Sequence, residues 1–90
     1  MTEAETIEKD DRLIEKHLPD GADEYVENSI FTKRELVAYL LWKRTDMTFE
    51  EAGEEMGITY GTFSGKTHSV EEKKEKARAT MELIKAIEGE

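Results

Sequence analysis

Cysteine is absent from this 90-residue chain, which excludes a disulfide framework and any zinc site built on thiolates. Histidine is nearly absent: His17 and His68 are too few and too far apart in sequence to form a metal site by themselves. A single proline, Pro19, interrupts the chain. Long hydrophobic runs are missing too. The longest, Leu36 to Trp42, falls far short of the roughly 20 residues that a membrane-spanning helix needs. Met1 opens an acidic stretch without a hydrophobic signal region, so the expected location is cytoplasmic, with no membrane partner. No five-residue stretch alternates strictly between apolar and polar, which argues against strands. Ninety residues suffice for one small domain with a modest core.

Bases are the scarce charge: 13 Lys and Arg face 22 Asp and Glu, a formal net charge of −9. The excess is uneven. Residues 1–30 hold ten acids and three bases, residues 31–60 six and four, and residues 61–90 six of each. The acidity therefore concentrates in the N-terminal third. So acidic a chain suits a high-salt habitat, although nine lysines against four arginines is not the usual adaptation.

What is present is helical periodicity. From Ala4 to Leu18, the spacing of Ile7, Ile14 and Leu18 predicts a helix with those residues on one face. The "LPDG" that follows is a stop signal, and a short helix is expected over Ala22 to Glu27. In "FTKRE", Thr32 and Glu35 form a capping box, with Phe31 and Leu36 placed as a hydrophobic staple. That helix should run to about Arg44. "MTFEE" repeats the device with Thr48 and Glu51, opening a two-turn helix that should stop at Gly57. Thr59 can cap a last helix reaching about Ile87. "HSVEE" offers a competing cap at Ser69, but no proline or turn pair lies between Tyr60 and Ile87, so continuation with Ser69 exposed is the expectation. Gly65 weakens that helix by about 1 kcal/mol relative to Ala.

Two short helices meeting across a glycine form a helix-turn-helix when a small residue lies at their crossing and apolar residues line their inner faces. Ala52, Gly53 and Met56 supply the first helix, Gly57 and Ile58 the turn, and Phe63 the second helix. Leu36, Val37, Leu40 and Leu41 form the other wall, with Tyr39 or Trp42 closing the edge. The expected fold is thus all-α: a three-helix helix-turn-helix core over 31–90, an added acidic N-terminal helix and loop over 1–30, and a long C-terminal helix.

The segment "FEEAGEEMGITYGTF" resembles a pattern found in region four of bacterial sigma factors and in small archaeal regulators of the Tfx type. Glu51, Ala52, Gly53, Met56, Gly57, Ile58, Thr59, Thr62 and Phe63 fall on its positions. "VEEKKEKARATMEL" is similar to the helix extension of the Tfx-like proteins. The likeness covers Phe31 to Leu83. Gly53 stands where alanine is usual, and the last helix lacks the arginines such helices commonly carry. The resemblance implies a transcriptional regulator that places the helix beginning near Tyr60 in the major groove of double-stranded DNA. Tyr60, Gly61, Ser64, Gly65 and His68 would face the bases, and the free amides beside Thr59 and Thr62 suit a phosphate. Lys33, Arg34, Lys43, Arg44, Lys66, Lys73 and Lys74 are the cations available for backbone contacts.

Blander readings stand beside these. Glu50, Glu51, Glu54 and Glu55 have the spacing of a solvated helix face, and no nucleophile–base pair suggests an enzyme or a cofactor. "DGADE", Asp20 to Glu24, has too few spaced oxygens for a calcium loop. His17 suits a helix end, His68 a plain surface position, and Trp42 the core edge. Lys73, Lys74 and Lys76 alternate with Glu71, Glu72 and Glu75 as a surface ion-pair ladder would. Val70, Ala77 and Ile84 repeat every seven residues beside Met81 and Ile87, and Ile7 and Ile14 repeat the interval. Either the first and last helices form a homodimer seam, or they pack on each other within one chain. The alternative function is a helix-turn-helix-shaped interaction module that binds no DNA, its acidic third docking on a basic protein partner or imitating DNA.

Overall fold

Threonine starts four of the five helices. The computed structural model describes residues 2–89: α1 (Glu3–His17), α2 (Asp23–Val26), α3 (Lys33–Arg44), α4 (Phe49–Met56) and α5 (Tyr60–Glu88). Thr2, Thr32, Thr48 and Thr59 precede α1, α3, α4 and α5, and each hydroxyl accepts the amide three residues on. In the first three, a glutamate returns the favour by accepting the threonine amide, which completes the capping box. The described residues contain no strand, and the fold is all-α. No described helix is long and apolar enough to cross a membrane.

The turn between α4 and α5 depends on Gly57. Its φ of 71° lies in the left-handed region, where a Cβ would be strained and glycine is not. The amide of Ile58 then bonds the carbonyl of Gly53 at 2.9 Å. Gly53 lies at the crossing: a Cβ there would stand 3.0 Å from the Ile58 carbonyl oxygen. Glycine spares the crossing that close contact.

The core gathers Leu13, Val37, Ala38, Leu41, Ala52, Met56 and Phe63, with Ile14, Trp42, Met47, Phe49 and Ile58 packed around it. Phe63 is fully buried, as its place in the helix-turn-helix requires. Leu36, expected in that wall, is half-buried. It instead borders an apolar hollow of about 310 Å³ shared with Phe31, Leu18 and Tyr25. The second helix is shorter than expected, a single turn at Asp23–Val26.

Two expectations about the outer helices need correction, and one of two alternatives falls away. In α1 the buried residues are Asp10 and Leu13, while Ile7 is exposed. The expected face holds further along, where Ile14 and Leu18 are half-buried, and Asp10 shares it because Nη1 of Arg34 donates to both its carboxylate oxygens, at 2.8 and 3.0 Å. Nη2 of the same guanidinium donates to the carbonyl of Met56 at 3.0 Å, so one side chain joins α1, α3 and the end of α4. Next, α1 packs on α3 and not on α5, so the first helix is not the cover for the seven-residue stripe of the last. Finally, Ser69 is half-buried: α5 continues through it, and its hydroxyl donates to Glu35 at 2.5 Å.

Candidate nucleic-acid interface

The face of α5 away from the core is decided by helical spacing. Phe63, Thr67 and Val70 turn inward and are buried, so the positions between them must turn out. Thr59, Tyr60, Gly61, Thr62, Gly65 and His68 are exposed, while Ser64 and Lys66 are half-buried on the flanks. Of the sequence-derived grouping, Tyr60 and His68 are thus exposed, and Ser64 is half-buried at the edge of the same surface.

Its chemistry differs from the rest of the molecule. From Met56 to Val70 there is no acid, the longest acid-free interval in a chain that is about one-quarter Asp and Glu. The other four helices each carry acid in the first turn, and α5 carries none. The cap is different as well: Thr62 takes the place of the box glutamate, and Thr59 Oγ1 donates to its hydroxyl at 3.0 Å. The amides that open α5 therefore keep their partial positive charge without a carboxylate beside them.

Gly61 and Gly65 are four residues apart on the outermost line of this face. A Cβ added to either would meet nothing within 4 Å. Packing inside the chain does not demand glycine at these positions, yet a mid-helix glycine such as Gly65 costs about 1 kcal/mol relative to alanine. The result is a ridge with almost bare backbone, ending at His68, whose Nε2 lies 3.0 Å from Oε1 of Glu72.

An aromatic series that the sequence did not reveal links this ridge to the end of α3. Tyr39, Trp42, Phe49 and Tyr60 follow one another with ring centroids 6.2, 6.0 and 6.1 Å apart, and Phe49 also meets Phe63 edge-on at 5.0 Å. Tyr60 is held by Phe49 while staying 60% exposed. At the α3 end, Lys43 Nζ lies 3.8 Å above the Trp42 ring. The only sequence signal for this series was the aromatic spacing on α3.

The cations divide in two. Lys43, Arg44 and Lys66 form no ion pair among the described residues. Lys33 is held by Asp11 at 2.6 Å, Arg34 by Asp10, and Lys74 by Glu71 at 3.3 Å beneath the Tyr39 ring. Lys73, expected on a phosphate, is a structural cation: its Nζ lies 2.5 Å from Oε1 of Glu35. That carboxylate also receives the Ser69 hydroxyl and the Thr32 amide. Burial pushes its pKa up, but bonds from Lys73, Ser69 and Thr32 together with the Lys73 charge prevail, bringing it from 4.5 to about 2. The α4 acids are partly employed too. Glu51 closes its capping box, which lowers its pKa chiefly through the Thr48 amide, and Glu55 lies 3.9 Å from Lys9.

Comparison with protein-family models, with curated proteins and with solved structures gives no match.

Proposed function

We propose that this chain is a DNA-binding transcriptional regulator that sets the first three turns of α5 into a major groove. The observation that carries the reading is the acid-free, outward ridge from Thr59 to His68, built by a helix-turn-helix on an otherwise acidic molecule. A duplex meets there the uncompensated amides of the α5 N-terminus, a backbone bared at Gly61 and Gly65, and polar groups on Tyr60, Thr62, Ser64 and His68. Lys66 on the flank and Lys43 and Arg44 at the end of α3 supply phosphate contacts. The resemblance to sigma region four and the Tfx-like regulators supports the same assignment of residues.

Charge sets the character of the binding. Affinity that rests on released counterions grows with the number of phosphates neutralised, and only three of the seven candidate cations are unpaired. Non-specific affinity should be weak, and selectivity should come from base contacts. Acids farther than about 8 Å from the duplex are largely screened at physiological salt. The α4 glutamates are nearer in sequence and set the limit.

The experiment is a salt series of duplex binding with random and selected sequences, comparing the wild type with Lys66→Ala and Ser64→Ala. The expected slope of log K against log salt is about −3 or shallower, at roughly 0.9 per phosphate contact. Lys66→Ala should flatten it by about 1, and Ser64→Ala should weaken the selected duplex more than the random one. Equal binding by all three proteins removes α5 from the mechanism. A second reading, an interaction module that binds no DNA, is favoured by the absence of arginine from the ridge and by the contact between His68 and Glu72. Failure to bind at every salt concentration selects it.

A further inference from the structure

Helix α5 outruns the body that it helps to build. Its seven-residue line begins with Phe63 and Val70, both fully buried, then continues through Ala77 and Ile84, both exposed. Every described residue from Glu75 onward is exposed, and the molecule measures 52 × 26 × 25 Å. The free part, residues 75–88, is about 21 Å long at 1.5 Å per residue. It is not a polar strut. Met81, Leu83, Ile84 and Ile87 are 54%, 60%, 39% and 67% exposed. At 100° per residue, Ala77, Thr80, Met81, Leu83, Ile84 and Ile87 share an arc of about 160°, the breadth of a helix face made to be covered. Nothing among the described residues covers it, and α1 is packed on α3.

We propose that this face is covered by a second copy of the chain, the two α5 helices running antiparallel about a two-fold axis at position 82. The arc is its own complement under that operation. Reflected through 82, Ala77 exchanges with Ile87, Thr80 with Ile84, and Met81 with Leu83. In the first two pairs the smaller side chain meets the larger one, as close packing across an isologous interface requires. Lys76 and Glu88, which lie within the same arc, also exchange, so each level that holds a cation on one copy holds an acid on the other. A parallel pair would instead oppose Lys76 to Lys76 and Glu88 to Glu88, with a gap at Ala77. Residues 75–89 carry three acids and three bases, so two copies of a chain with net charge −9 can approach here without net repulsion. The pairing stands on α5 alone, whether or not the ridge at its other end binds DNA.

The test uses the full chain in light scattering after size exclusion, with helicity followed by circular dichroism. The wild type should have twice the mass of one chain. Ile84→Lys, which alters no core residue, should have the mass of one chain with its helical signal retained. Because the protein has no cysteine, orientation can be read directly. Ala77→Cys and Ile87→Cys should form a disulfide when mixed and oxidised, and neither should cross-link alone. A wild-type mass of one chain up to the solubility limit would overturn the pairing, as would an Ile84→Lys protein that stays dimeric. Self-cross-linking by either single variant would overturn the antiparallel arrangement.

Discussion

Arg34 and Glu35 are neighbours in sequence that do opposite jobs, each holding a different outer helix to α3. Arg34 satisfies the buried Asp10 and the carbonyl that ends α4. Removing it leaves a carboxylate almost without solvent and without its counter-charge, which costs about 3 kcal/mol or more. Arg34→Ala should lower stability by that amount in denaturant titration, and the further change Asp10→Ala should restore part of it. Glu35 ties α5 to α3 through Ser69 and Lys73. Its folded pKa is below its unfolded value, so its contribution is complete above pH 4.5 and is lost as pH falls through about 2. The difference corresponds to about 3 kcal/mol. In acid titration monitored by circular dichroism, the wild type should lose stability across that window, and Glu35→Gln should be less stable at neutral pH but flatter below it.

Among the elements, α5 is the one whose folding and proposed recognition role can be separated, and Gly65 is the residue that separates them. Nothing lies within 4 Å of a Cβ at Gly65, so Gly65→Ala should raise thermal stability by up to about 1 kcal/mol. If the ridge lies in a groove, the same methyl group should weaken duplex binding, and a variant that is both more stable and tighter-binding would contradict that placement. The elements themselves were legible in the sequence where punctuation was local. Thr32 with Glu35, Thr48 with Glu51, and Gly57 marked the bounds of α3 and α4 because capping and left-handed stops act over four residues. The facing of α1 was legible in part. Ile14 and Leu18 turn inward as their spacing suggested, but Ile7 is exposed, and the burial of Asp10 rests on a partner 24 residues away in sequence, Arg34. Lys73 was misread for the same reason, since a ladder of alternating charges looks alike whether one rung is solvated or bound to a carboxylate 38 residues away.

At the scale of the whole molecule, the charge is segregated in function as well as in sequence. Acids close capping boxes, pair with Lys9, Lys33, Arg34 and Lys73, or lie on solvent faces, and the interval from Met56 to Val70 is left without them. A large negative net charge opposes indiscriminate binding to a polyanion, and under the proposed function the local field on the ridge would decide where contact occurs. The ridge from Thr59 to His68 was legible as a group because helical spacing fixes it once Phe63 is placed inside. The Phe49 support beneath Tyr60 was not, since it depends on how α4 crosses α5. The most direct measurement is the change in backbone amide resonances as a selected duplex is added to the full chain. The largest shifts are expected at Thr59 through His68, with smaller ones at Lys43 and Arg44 and none in α1. Shifts confined to α1 and the acidic N-terminal third, or none at saturating duplex, would contradict the central claim that α5 reads DNA.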